Sequence, residues 1–152
     1  MGATTTAAEL GRAFPDVPVV DSSGNHVRER VDSTPRLIVA TPGAEPTPES
    51  GYACAVILDA VSSLSRPGLA AVEQTVDRWM AILALVRSVR DGGRAVIVGP
   101  SEDAALQAMV RNDPVGWATR ELADRREAHF PPAVPCGICL LYTSDAADDS
   151  LR

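Results

Sequence analysis

Apolar positions along this chain follow two rhythms. Leu37 to Ala40, Ala55 to Leu58 and Ala95 to Val98 are unbroken runs of four, as expected of short buried strands. Between the last two, Leu69, Val72, Val76, Trp79, Leu83 and Val86 recur at three and four residues, which marks the apolar stripe of a long helix. Glu73, Gln74, Asp77 and Arg78 take its other side. Pro67 suits the first turn of that helix, and Asp91, Gly92, Gly93 supply its stop.

The flanks extend the alternation. Ala7 to Ala13 predicts a short helix, Val17 to Val20 a short strand, and Asp21 to Asn25 a turn cluster. Ser101 is placed to cap a helix with Leu106, Met109 and Val110 inward, and Asp113-Pro114 opens a last helix that Phe130-Pro131-Pro132 ends. Strand, helix, strand, helix predicts an α/β fold, a parallel sheet flanked by crossover helices. The first strand ends in Thr41, Pro42, Gly43, Ala44, Glu45, Pro46 and the second in Asp59. Such residues at the carboxyl ends of buried strands mark the ligand-facing edge of an open sheet.

Composition narrows the chemistry. All 14 basic residues are Arg, so neither a P-loop lysine nor a Schiff base can come from this chain. At 152 residues and 45% hydrophobic content the length predicts one globular domain. No apolar run approaches the roughly 20 residues of a membrane helix, and Met1 to Ala8 has no signal-peptide character, so the expected compartment is the cytoplasm and no membrane partner is expected. The net charge of −6 disfavours nonspecific attraction to phosphate backbones. Two arginine groups, Arg87, Arg90, Arg94 and Arg120, Arg125, Arg126, read more readily as solvated helix faces or helix ends than as ligand sites.

Individual candidates are weak. The Thr41–Glu45 segment could touch nucleotide or DNA, against the simpler reading of a rigid connection. Asp59 stands alone at a strand end, where capping or a turn outweighs a metal or acid/base role. His26 and His129 have no Ser or Cys partner at a triad spacing. Trp79 and Trp117 read as packing residues, and Cys54, opening an apolar strand, as a small core residue. Cys136 and Cys139 form a Cys-x-x-Cys pair without the further ligands that zinc needs.

Several runs carry a family resemblance. Asp113, Pro114, Trp117, Ala118, Glu121, Leu122, Arg125, Arg126 and Phe130-Pro131-Pro132 resemble the end of the second helicase lobe in primosomal protein N′, the PriA replication-restart family. The run from Ala8 to Pro15, with Val17 and Pro18, resembles the segment after that family's zinc-binding insert. Leu37 to Pro46, Ile57 to Asp59, Glu73 and Trp79 fall between in the expected order. The resemblance implies an incomplete RecA-like lobe over residues 1–134. It also implies zinc ligands upstream of Met1, ATP for the complete protein, and forked or single-stranded DNA plus replication-restart and helicase-loading proteins as partners.

Departures from the family shape the functional expectation. Ala40, Thr41, Pro42 stand where active members carry Gly-Thr-Gln, and Ala84 to Arg90 stand where they carry an arginine-containing phosphate-sensing run. Only Arg87 and Arg90 are similar to its arginine pair. This is similar to the helicase-deficient actinobacterial branch, and it implies fork binding and helicase reloading without turnover. The weak nucleotide- or DNA-binding candidates are Thr41, Gly43, Glu45, Asp59, Arg87 and Arg90. The alternatives are an active ATP-dependent 3′-5′ helicase lobe and an unrelated small α/β enzyme or nucleotide-binding protein, though no Gly-rich fingerprint follows the strands. Residues 135–152 resemble translated sequencing-adapter read-through and are set apart as a non-native tail. Without them 17 acids face 13 arginines, leaving −4.

Overall fold

The computed structural model describes residues 2–137. The tail set apart above, including Cys139, lies almost wholly outside them. The chain forms two units, one up to Pro114 and one from Val115 onward.

In the first unit, α1 (Ala3–Ala13) leads into β1 (Val19–Ser22). A 3-10 turn, Gly24–His26, precedes β2 (Arg30–Val31), and β3 (Leu37–Ala40), β4 (Thr47–Pro48) and β5 (Cys54–Ile57) follow. Next come α2 (Ala60–Leu64), α3 (Ala71–Ala84), β6 (Arg94–Ile97) and α4 (Ala104–Arg111). The fold is mixed α/β, and every strand pair is parallel: β1 with β3, β2 with β4, β5 with β6. Among the described residues the expected single sheet is instead three separate two-stranded pairs.

Helices provide the core. Ala60, Val76, Trp79, Ala105, Leu106, Ala108 and Met109 are buried where α2, α3 and α4 meet. The stripe read from the sequence is real at Val76 and Trp79, but α3 starts four residues later than Pro67. Gly68 holds φ of +137°, a left-handed conformation that no helix can continue through. Leu69 is consequently exposed, and Val86 falls beyond the helix in an isolated bridge with Tyr52.

Other expectations need correction. β1 is shifted to include Asp21 and Ser22, because Val20, Asp21 and Ser22 pair with Ile38, Val39 and Ala40. Asp103, not Ser101, caps α4: its carboxylate accepts from the Ala105 and Leu106 amides at 2.8 and 3.1 Å. Val110 is mostly exposed in the last turn of α4, one turn beyond the buried Leu106, although it contributes to the wall of an open cleft beside Met109. The strands at 54–57 and 94–97 are not buried on both faces: Val56 and Val96 are about half exposed, and Cys54 is exposed rather than core.

The second unit carries most of α5 (Pro114–Glu127), which begins on its proline as the sequence predicts. Trp117 is its buried residue. Glu121 and Arg125 pair one turn apart at 2.8 Å, and Arg125 Nη1 donates to the Pro131 carbonyl at 2.7 Å, which fixes the chain leaving the helix. No helix among the described residues is long and apolar enough to cross a membrane.

Candidate functional site

The segment after β3 is a built turn. Thr41-Pro42-Gly43-Ala44 closes with the Ala44 amide donating to the Thr41 carbonyl at 2.9 Å, and Gly43 has φ of +92°. Proline second and left-handed glycine third is the type II pattern, in which only glycine is comfortable at the third place. The Gly43 amide, pointing away from the turn bond, donates to both Glu45 carboxylate oxygens at 3.1 and 2.9 Å. A backbone amide of this kind could receive a phosphate oxygen, but here the chain's own carboxylate occupies it. An anionic ligand would have to displace Glu45 against like charge.

Behind the turn the strand ends are locked. Ser22, fully buried, donates its hydroxyl to the Ala44 carbonyl at 2.7 Å and accepts from the Arg28 amide at 3.0 Å. Pro46 is also fully buried, and its carbonyl accepts from the Tyr52 hydroxyl at 2.5 Å. Burial, and then the nearby Glu45 charge, push the Tyr52 phenol above its ordinary value. The Tyr52 amide and carbonyl continue the link, bonding to the Leu85 carbonyl at 2.8 Å and the Arg87 amide at 2.9 Å.

Arg87 is part of this framework. Its Nε donates to the main-chain carbonyls of Ser50 and Gly51 at 3.2 and 3.0 Å. Arg90 lies exposed in the following 3-10 turn, Val89–Asp91. Asp59 caps α2, accepting from the Ser62 amide at 3.3 Å. This is the capping role the sequence favoured.

The structure does not gather these candidates into one site. Arg87 and Arg90 precede β6, whereas Asp59 follows β5, and the two strands run parallel. The arginines therefore sit at the amino end of the pair and Asp59 at its carboxyl end, about 13 Å apart along a four-residue strand. A cleft of about 230 Å³ lies between α3, α4 and β6, but its walls are Leu83, Ala95, Ile97, Met109 and Val110, with no charged group to hold a nucleotide. Among the described residues no group of three His, Cys, Asp or Glu side chains could hold a metal ion. Ser22 and Tyr52, which organise the region, escape sequence reading. Ser22 falls in an apparent turn cluster, and Tyr52 acts through backbone partners distant in sequence.

Comparison with known proteins finds clear relatives. Over 134 residues, 88% of this chain, it is 46% identical to the "Probable replication restart protein PriA" of Mycobacterium tuberculosis (strain ATCC 25618 / H37Rv). Identity is also 46% to the protein of that name from Mycobacterium bovis, and 44% to the one from Mycobacterium leprae (strain TN). The chain spans only about a fifth of the length of these relatives, 20 to 21%. No family model and no solved structure matches. The resemblance to the PriA replication-restart family is thus shown across most of the chain.

Proposed function

We propose that this chain is a segment of a replication-restart protein that binds DNA at stalled forks and helps reload the replicative helicase, serving there as a scaffold without turnover. The observation that carries the reading is the 46% identity over 134 residues to proteins named for replication restart. On this reading residues 1–134 are a degenerate, incomplete RecA-like second lobe, whose parallel pairs and crossover helices suit that architecture. The complete protein works in the cytoplasm on forked or single-stranded DNA and holds its zinc in a part outside these residues.

Two features support a scaffold over a motor. Glu45 fills the amide position at the turn after β3 with negative charge. The Arg87 Nε is bonded to main-chain carbonyls rather than presented toward a phosphate. A transition-state arginine must reach the transferring phosphoryl group to stabilise its charge.

The test is ATP hydrolysis by the complete protein, with and without forked DNA, with fork binding measured in the same sample. Binding without turnover is the expected result. Fork-stimulated turnover would replace the scaffold by the active ATP-dependent helicase lobe.

A further inference from the structure

The loop from Arg87 to Arg94 is a closed tip at the amino end of the β5–β6 pair. The Ser88 carbonyl accepts from the Asp91 and Gly93 amides at 3.0 and 2.9 Å, and the Val89 carbonyl accepts from the Gly92 amide at 3.1 Å. Gly92, at φ of +79°, turns the chain back toward β6. Arg87 ties the base of the loop to the neighbouring segment through the Ser50 and Gly51 carbonyls. Charge and exposure concentrate at the tip. Three arginines and one aspartate in these eight residues leave +2, in a chain whose net charge is −6. The loop's one acid, Asp91, is engaged by the Ser88 hydroxyl at 2.6 Å rather than by an arginine, and the adjoining stretch from Ser50 to Ile57 holds no charged residue. Arg90 and Arg94 are exposed and make no hydrogen bond or ion pair among the described residues, unlike Arg36 and Arg125, which pair with Asp32 and Glu121. Beside them Val89 is 89% exposed, more than any other large apolar side chain among the described residues.

We infer that this tip touches the DNA strand itself: Arg90 and Arg94 hold phosphodiester oxygens, and Val89 packs against the adjoining sugar and base. Guanidinium contacts to phosphate position a protein on DNA without reading sequence, and an apolar side chain beside them can lean on the bases. The inference deepens the fork-binding reading and rests on it. It assigns the two guanidinium groups to DNA rather than to a nucleotide. A nucleotide site encloses its ligand, whereas this tip stands open and suits a strand passing across it. The hydrogen-bonded loop holds both arginines in place before the strand arrives, which lowers the ordering cost of binding.

The test is salt-dependent binding of the complete protein to forked and single-stranded DNA, read by fluorescence anisotropy. Each arginine that neutralises a phosphate adds about 0.7 to the slope of log affinity against log salt on single strands. Arg90→Ala with Arg94→Ala is therefore expected to lower that slope by about 1.4, and the paired Lys replacements to keep it. Arg120→Ala with Arg126→Ala changes the net charge equally and should leave the slope unchanged. Val89→Ala should weaken binding about fivefold at an unchanged slope. An unchanged slope in the Arg90 and Arg94 variant overturns the inference, and so does an equal fall in the Arg120 and Arg126 variant, which would mean a general loss of charge. Weaker binding of a fluorescent ATP analogue with intact DNA binding would assign the arginines to nucleotide and overturns it too. A wild-type protein that binds no fork sinks the fork-binding reading and this inference together. A missing slope change in a protein that does bind forks sinks this inference alone.

Discussion

Arg87 lies across Gly51. Its Nε donates to the Gly51 carbonyl at 3.0 Å, and its Cγ stands 3.0 Å from where a β-carbon on Gly51 would be. Gly51 also holds φ of +78°, in the left-handed region. On the other side, a β-carbon on Gly93 would fall 1.9 Å from the Arg87 carbonyl oxygen. The arginine is thus held between two glycines, and each glycine is required for a different reason.

Gly51→Ala is expected to destabilise the β5–β6 region by about 1–2 kcal/mol, the cost of forcing an L-residue into a left-handed conformation. Gly93→Ala should cost more, about 3 kcal/mol or above, because main chain cannot yield as a side-chain tip can. Hydrogen exchange of residues 50–57 and 86–97 in the complete protein would rank the two. An equal or reversed ranking would show that the contact at Gly93 relaxes freely.

Ser22→Ala removes a hydroxyl that both donates to Ala44 and accepts from Arg28 in a fully buried place. Two main-chain groups lose their partner, so a loss of about 2–4 kcal/mol is expected in urea unfolding. A loss below about 0.5 kcal/mol would mean that water reaches the site.

For α4 the two candidate caps give opposite expectations. Asp103→Ala should cost about 1 kcal/mol, because two amides lose their acceptor. Ser101→Ala should be close to neutral, within about 0.5 kcal/mol, because its carbonyl still accepts from Gln107 and its hydroxyl makes only a long, exposed bond to the Glu102 carboxylate at 3.4 Å. Exchange rates of the Ala105 and Leu106 amides separate the variants.

Tyr52 sets a pH dependence. Its folded phenol ionises above the ordinary value of 10.0, first through burial and then through Glu45. The folded state therefore holds a proton that the unfolded state releases earlier. The resulting stability is complete below pH 10 and is lost as pH rises through the raised value. Glu45→Gln should bring the phenolate absorbance midpoint part of the way back, leaving the contribution of burial, with Tyr52→Phe identifying the signal. An unmoved midpoint would remove Glu45 as a cause.

How far the sequence was legible depends on where the determining partner lies. Asp113-Pro114 announced α5 because a helix start is written in adjacent residues. The α3 boundary failed at Pro67, since a stripe at three and four residues does not show that Gly68 turns left-handed. The apolar runs at β5 and β6 showed strands correctly but not which faces are covered, because that depends on elements far along the chain. At the candidate site the Thr41–Ala44 turn was readable from Pro42 and Gly43. The carbonyls that hold Arg87 lie 36 and 37 residues away, and no local pattern could predict them.

The parallel pairing of β5 with β6 also has a consequence in time. Cys54 meets Arg94, 40 positions later, whereas Val19 meets Leu37 after only 18. Chain closure favours the shorter span, so the amino-terminal pair can assemble while the ribosome is still extending the chain. At about 5–20 residues per second, β5 then waits roughly 2–8 s for its partner to be synthesised. Throughout that interval Val56 and Ile57 depend on whatever else in the nascent chain can shelter them.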